Sequence, residues 1–417
     1  MSGAPRGLLL ASLLAATLSP GFAQTPEDSF FDDTAVQAIS LTMEPGDWAA
    51  LQRNVVENTY YHADFAWNGM ALRNIGVRSH GGVSRLPTKP NLDLNFAKYE
   101  KAQRFLGLPF VLIKANNRDP SNLREWLSFQ LFRKMGFPAP REAPARVLLN
   151  GRLLGFYIIV EHVDEHFLER NFGESRGRLY KWRNRSNYEF DDLGDGASNY
   201  EPMLELKSKE AAGDWRDFAN LIQSIHRPFG PDFSAATFIR SLSRYLDPGR
   251  FLAYLATENV LSDGDGIAGG LVGMNNFYLY QGRGGTEYRI IPWDKDLTFS
   301  GLERDVLEGI TRGRNVNLLA KRLVGIPEWQ TAYLRALAES ATLLGGTGGW
   351  ADREITRETG VIHDAAANDP NKWCFDHACG TAEFESDVRW LHAYLSERAR
   401  NVLAGGARAG FRVDQAP

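Results

Sequence analysis

Two runs of aromatic and β-branched residues, Phe277 to Tyr280 and Tyr288 to Ile291, stand either side of a connection, Gln281 to Thr286, that holds three glycines. Such runs read as a hairpin, because the glycines let the chain reverse without β-carbon strain. Acidic pairs bracket it, Asp263 with Asp265 before and Asp294 with Asp296 after. Carboxylates at both ends of one hairpin can converge. Three or four like charges brought together cost free energy unless a cation sits among them, so a hard divalent ion with oxygen ligands is the first functional reading. Asn275 and Asn276 add neutral oxygens beside the strand. A lone Asp-Gly would be no more than a turn. Two acid pairs on one hairpin, beside Trp293, exceed what a turn needs.

The 417 residues suffice for one large or two ordinary domains, and 43% hydrophobic with 12% aromatic content supplies a sizeable core. Arg6, the apolar run Leu8 to Leu18, Pro20 and a small-residue site ending at Ala23 read as a secretory signal peptide over 1–23, with Gln24 as the mature start. The apolar run is too short to span a bilayer, so the expectation is an exported protein with no transmembrane anchor. Because the leader holds one arginine and no acid, its removal takes the net charge from -4 to -5, and nucleic acid is not an expected partner. Cys374 and Cys379 lie five apart, and in an exported chain such a pair reads as a local disulfide. With only His377 between them a structural zinc site lacks ligands.

Residues 24–37 read as a disordered lead-in. Strands are expected at Ala38 to Met43, Tyr60 to Trp67, Met70 to Arg78, Leu92 to Phe96 and Val111 to Lys114, where apolar and polar residues alternate. A helix follows Asp119-Pro120-Ser121, with Leu123, Leu127, Leu131 and Phe132 at helical spacing. Ala145 to Leu149 and Leu154 to Val160 form a hairpin about Asn150-Gly151, ending at Glu161. Residues 174–215 are polar and suggest an insertion or a loop ordered on binding. From Trp215 the pattern is mainly helical to the end, apart from the hairpin of the opening. The fold class is therefore α+β, a mostly antiparallel first half with one inserted helix before a helical second half.

Phosphoryl transfer needs a lysine on the phosphates, a glutamate to hold it, metal ligands and an aspartate aligning the nucleophile. Lys89, Glu125, Asp265, Asn276 and the Asp294/Asp296 pair could fill those posts in chain order. The loop Ser79 to Arg85 carries two glycines whose amides could face an anion, although ordinary hairpin loops look the same. No Walker A run, His-Arg-Asp triplet or G-x-S-x-G elbow occurs. His162-Val-Asp-Glu165-His166 fits the H-x-x-E-H pattern of inverted zinc proteases, which requires a long helix; the short one expected here favours two exposed histidines at a helix start.

The runs RSHGGVSRLPTKPNLDLNF, DPSNLRE, LLNGRLLGFYIIVEHVDEHFL, FGESRGRLYK, MNNFYLY and RIIPWDKD together resemble the spore-coat protein H (CotH) kinase-like family, from about Ala38 to Ser300. The resemblance implies a secreted bacterial member with an atypical bilobal protein-kinase-like fold. Its antiparallel-sheet N-terminal lobe would take residues 38–165. Its mainly helical C-terminal lobe would take 166–417, with the polar insertion at about 174–215 and a helical C-terminal extension. It further implies an ATP-dependent Ser/Thr kinase using Mg2+ or Mn2+ on a partner protein of the envelope or surface, autophosphorylation included. Adhesins also occur in the family, so a binding role is the rival. Carried over by position, Asp265 is the catalytic acid, Asn276, Asp294 and Asp296 are metal ligands, and Lys89, Glu125, Arg78 and Ser84 form the nucleotide set. Gly264 stands where the family commonly has an aromatic and Asp263 supplies a second acid, which leaves the base as Asp263 or Asp265. Other members carry further lysines in the strand where this chain has Asp93 and Asn95, and Arg124 competes with Glu125 for a place at the phosphates.

Overall fold

The computed structural model describes residues 25–183, 187–208, 212–227 and 233–410. The expected leader, 1–23, lies outside the described residues. The fold is mixed α+β, with elements in the order α1 (Pro26–Phe30), β1 (Gln37–Thr42), α2 (Pro45–Arg53), β2 (Tyr61–Trp67), β3 (Met70–His80), β4 (Asn91–Asn95), β5 (Phe110–Lys114), α3 (Arg124–Lys134), β6 (Glu142–Leu149), β7 (Arg152–Val160) and α4 (Glu165–Phe172). There follow β8 (Arg178–Trp182), β9 (Leu204–Leu206), α5 (Arg216–His226), α6 (Ala235–Leu242), α7 (Pro248–Val260), β10 (Phe277–Gln281) and β11 (Tyr288–Pro292). The chain ends with α8 (Leu318–Val324), α9 (Pro327–Leu344), α10 (Trp350–Ala367), β12 (Trp373–Cys374), β13 (His377–Ala378) and α11 (Thr381–Arg408).

The first seven strands do not stop at an open antiparallel sheet. They close into a barrel in the order β1-β2-β3-β4-β5-β7-β6, because β1 pairs antiparallel with β2 and parallel with β6. Closure removes both edges of the sheet. Alternate residues fill the inside: Ile39 and Leu41, Phe65 and Trp67, Ile75 and Val77, Val111 and Ile113, Tyr157 and Ile159 share one core. Leu112, Phe156, Ile158 and Val160 point the other way, into a second core that holds α3 and the helices after β8. On β5 that alternation puts Lys114 on the same outward face as Leu112.

Two segments differ from the sequence reading. The lead-in expected to be disordered contains α1, capped by the Thr25 side chain at Asp28 N. The polar stretch 174–215 supplies β8 and β9, which complete a four-stranded sheet in the order β11-β10-β8-β9. Helix α10 stands between α9 and the cysteines. Cys374 and Cys379 are joined, closing the β12–β13 turn.

Candidate active site

The site begins with the register of β10 and β11. Phe277 pairs with Pro292, so Asn276 and Trp293 face one another just beyond the ladder, and Trp293 N donates to Asn276 O at 3.2 Å. Asn276 and Asp294 both adopt left-handed backbone, with φ of 59° and 51°. The segment after β11 is no longer a strand, yet its side chains part. Asp294 turns outward, while Lys295 is fully buried and donates to Glu258 at 2.8 Å and Asp263 at 2.7 Å. That internal ion triad sets the two candidate acids apart. Asp263 is 2% exposed and spent on Lys295, whereas Asp265 is only half-buried and accepts from Asn275 Nδ2 at 3.1 Å and Asn276 Nδ2 at 2.9 Å. Burial raises the Asp265 carboxyl above the usual range despite those donors, and the charges of Asp263 and Asp294 push the same way. The glycines of this turn serve packing: a β-carbon on Gly266 would meet Glu258 Oε1 at 2.4 Å, and one on Gly269 would meet Gly264 O at 2.3 Å.

Glu125 comes from the first turn of α3, where the helix dipole favours an acid. Its partner is Lys114, not Lys89. The Lys114 ammonium bonds to Glu125 Oε2 and, at 2.6 Å, to Asp294 Oδ1, so one cation bridges barrel, helix and hairpin. Burial alone would lower Lys114, but Asp294 and Glu125 hold it well above its ordinary value. Burial raises Glu125, and raises Glu142 beside it further, with the Glu125 charge adding to the effect. Burial would also raise Asp294, but Lys114 outweighs it and keeps this carboxyl low. Asp296 goes the other way: burial and then the Asp294 charge push it well up, and the Lys114 charge offsets only part of that. Carboxylate oxygens of Glu125, Asp294 and Asp296 lie within 4.8 Å of one another, an all-oxygen set that suits a hard divalent cation.

The remaining expectations divide. Arg78 and Ser84 line a cavity of about 350 Å³ together with Gly81, Lys114, Lys181, Trp293 and Asp294. Arg78 is tied to Asp93 at 2.6 Å, and Ser84 Oγ accepts from Asn91 Nδ2 at 3.4 Å. Lys89 lies elsewhere. Its ammonium is buried against Asp369 at 2.6 Å and Ala115 O at 3.1 Å, over the Tyr157 ring, so the expected Lys89–Glu125 pair is corrected to Lys114–Glu125. Arg124 does not face the cavity either, since it grips Asp387 on α11 and Thr298 O. Glu161 is enclosed by Arg141 and Arg170. His162 precedes α4 and His166 lies within it and bonds to Glu27, so the two histidines do not share one helix as the inverted zinc-protease pattern requires; among the described residues Glu125, Asp294 and Asp296 form the one metal-competent group. Sequence reasoning missed Lys114, whose signal was a lysine closing an apolar strand.

Comparison with known proteins matches residues 77–402 to the family described as CotH kinase protein. Inner spore coat protein H of Bacillus subtilis is 24% identical over 305 residues, 72% of this chain and 80% of its own length. Spore coat protein homolog 1 of Rhizopus delemar is 24% identical over 249 residues, 57% of this chain and 38% of its own length. Invasin CotH7 of the same organism is 24% identical over 265 residues, 57% of this chain and 39% of its own length. The Helicobacter pylori proinflammatory kinase CtkA covers 77% of this chain and 95% of its own with a TM-score of 0.32 and 9% identity. The HipA–HipB toxin–antitoxin complex of Shewanella oneidensis covers 88% and 80% with a TM-score of 0.36 and 14% identity. Both scores lie below the level at which a common fold follows.

Proposed function

We propose, for a chain that belongs to the CotH kinase protein family, that the cleft between barrel and hairpin transfers the γ-phosphoryl group of ATP to a Ser or Thr hydroxyl of a partner protein. The observation that carries this reading is the Lys114 ammonium held between Glu125 on α3 and Asp294 at the end of the hairpin. A lysine fixed by a helix glutamate and set beside metal-competent acids supplies most of the parts that phosphoryl transfer asks of a protein. The two parts joined at this cleft would then be the two lobes of a kinase-like arrangement.

Glu125, Asp294 and Asp296 would hold Mg2+ or Mn2+, with Asn276 able to present its amide oxygen from the opposite turn. A bound divalent ion supplies charge neutralisation on the phosphates. Asp265 would accept the proton of the attacking hydroxyl. Its raised carboxyl pKa brings it nearer the operating pH, and Asn275 and Asn276 fix its orientation. Arg78 and Ser84 would line the nucleotide side. Export rests on the leader at 1–23 and the disulfide, and it points to an envelope or surface protein as substrate.

Purified protein incubated with radiolabelled ATP, Mg2+ or Mn2+ and candidate envelope proteins should transfer label. Asp265→Asn should cut turnover by about a hundredfold or more while leaving nucleotide affinity in place, because this residue would serve the hydroxyl. A wild type that transfers phosphate and an Asn variant with the same rate would remove Asp265 from the mechanism. The second reading, a binding module of the same fold, is favoured by the name of the relative Invasin CotH7. A binding module has no need of Lys114, Glu125, Asp265, Asp294 and Asp296 around one cleft.

A further inference from the structure

Five cationic side chains line the cavity, Arg78, Arg85, Lys114, Lys181 and Lys207, against two acids, Asp294 and Glu205. Four of the five are already committed. Arg78 is held by Asp93 and Lys114 by Glu125 and Asp294. Arg85 spends its guanidinium on Gly81 O, Val55 O, Glu57 O and Asn58 Oδ1 at 2.6 to 3.1 Å. Lys207 donates to Glu205 at 2.6 Å.

Lys181 is the exception among the described residues. It sits in the middle of the four-stranded sheet, in register with Tyr278 on one side and Glu205 on the other. Glu205 nevertheless turns to Lys207 and Arg183. The Lys181 ammonium rests only over the rings of Trp293 and Tyr278, at 5.4 and 5.7 Å. Aromatic faces attract a cation but accept none of its hydrogen bonds in the way an oxyanion does. Trp293 immediately precedes Asp294, so the ammonium is positioned on the same wall as the metal-competent acids. Lys114, shared between two carboxylates, has little charge left for a ligand.

We infer that Lys181 is a phosphate-binding residue that grips the oligophosphate of the ligand beside the acid cluster, an assignment that rests on the kinase reading for the identity of that ligand. Lys114 then meets the phosphates with a charge it shares with Glu125 and Asp294, and Lys181 supplies the uncommitted charge. The chemistry it recognises is a chain of two or more phosphates, not a nucleoside. AMP would gain little from it and ATP much.

The test uses the full chain and inorganic tripolyphosphate with Mg2+, followed by calorimetry, with ATP and AMP in parallel and thermal melting to confirm folding. Lys181→Met should weaken tripolyphosphate and ATP by about 10- to 100-fold, the loss of one charge-assisted contact, and leave AMP unchanged. Lys181→Arg should restore most of the affinity, and Lys181→Gln serves if the Met variant does not fold. Lys207→Met, whose partner is Glu205, should cost less. Equal tripolyphosphate affinity in wild type and Lys181→Met, or none in the wild type, overturns the assignment. A wild type that binds tripolyphosphate through Lys181 and yet labels no protein would overturn the kinase reading and leave Lys181 in place.

Discussion

Asp296→Asn should make the metal-free protein more stable and the metal-loaded protein useless. Glu125, Asp294 and Asp296 bring three carboxylates within 4.8 Å with one ammonium, Lys114, among them. At 4.8 Å and an effective dielectric of about 20, one like-charge pair costs about 3.5 kcal/mol. Two effects reduce that figure. The Asp294 side chain is 42% exposed and screened by water, and the raised Asp296 carboxyl escapes part of the repulsion by holding a proton. A net relief of about 1–3 kcal/mol remains for the Asn variant, or about 2–6 °C in melting midpoint at roughly 2 °C per kcal/mol for a chain of this size. With Mn2+ at a thousandfold excess over its dissociation constant the wild type gains about 4.1 kcal/mol that the variant forgoes. The order of the two melting curves should therefore reverse between chelator and metal. Phosphoryl transfer should fall about a thousandfold or more. If Asp296→Asn melts below the wild type in chelator and Mn2+ shifts both proteins alike, the three carboxylates do not form a cation site.

Lys114→Met should abolish transfer and cost about 3 kcal/mol in stability, the low end for breaking a buried pair because Asp294 is partly exposed. Lys89→Met should also lower the melting midpoint, since Asp369 is 1% exposed in its side chain and loses its cation, while the rate per folded molecule in the label-transfer assay holds. Reduction, or Ser at both Cys374 and Cys379, should cost about 2 kcal/mol in chemical denaturation, because the loop closed is short. Helix α1 should be held most firmly at about pH 5 to 6 by hydrogen exchange. Burial opposes ionisation of Glu27, but hydrogen bonds from His166 and Arg141 bring its carboxyl down to about 2, so that contribution is present above its ordinary 4.5 and lost as pH falls through about 2. The Glu27 hydrogen bond raises His166 above its ordinary 6.5, so that contribution is present below 6.5 and lost as pH rises through the raised value. Glu27→Gln should flatten both limbs, and an unchanged exchange profile would show that α1 is not held this way.

Much of this was legible in the chain. The hairpin, its flanking acids, the outer strands and the disulfide all follow from alternation, glycine placement and cysteine spacing. The lysine was not, for a physical reason. Four of the five residues of β5 are buried, because one face fills the barrel and the other meets α3, and burial on both faces erases the period of two that would have marked Lys114 as pointing outward. Lys89, next to a proline in a polar segment, drew attention instead, although its charge is consumed by Asp369, 280 residues away. The burial of Asp263 turns on Lys295, which the sequence shows only as the middle letter between two acids. Strand β8 was hidden in polar surroundings, since five residues acquire their strand character from pairing with β10.

The chain from α8 onward holds none of the candidate acids, yet it helps to set the cleft. Asp369 takes Lys89, Asn371 Nδ2 donates to Leu154 O at 2.7 Å, and Phe375 N donates to Asn117 O at 2.7 Å, so the stretch around the disulfide is fastened to the barrel at three points. Asp387 on α11 holds Arg124, the residue beside Glu125, and Asp119 accepts from Arg124 N at 2.8 Å. Neighbours on a helix diverge by about 100°, so the first turn of α3 can give Arg124 to the C-terminal helix and Glu125 to Lys114. The position of the glutamate is thus fixed from behind. Lys114, Glu125 and Asp294 come from three elements that share no backbone hydrogen bonds, and their meeting depends on α10 and α11 holding barrel and helices in one relation. The family match runs to residue 402 and so takes in these contacts as well as the acids.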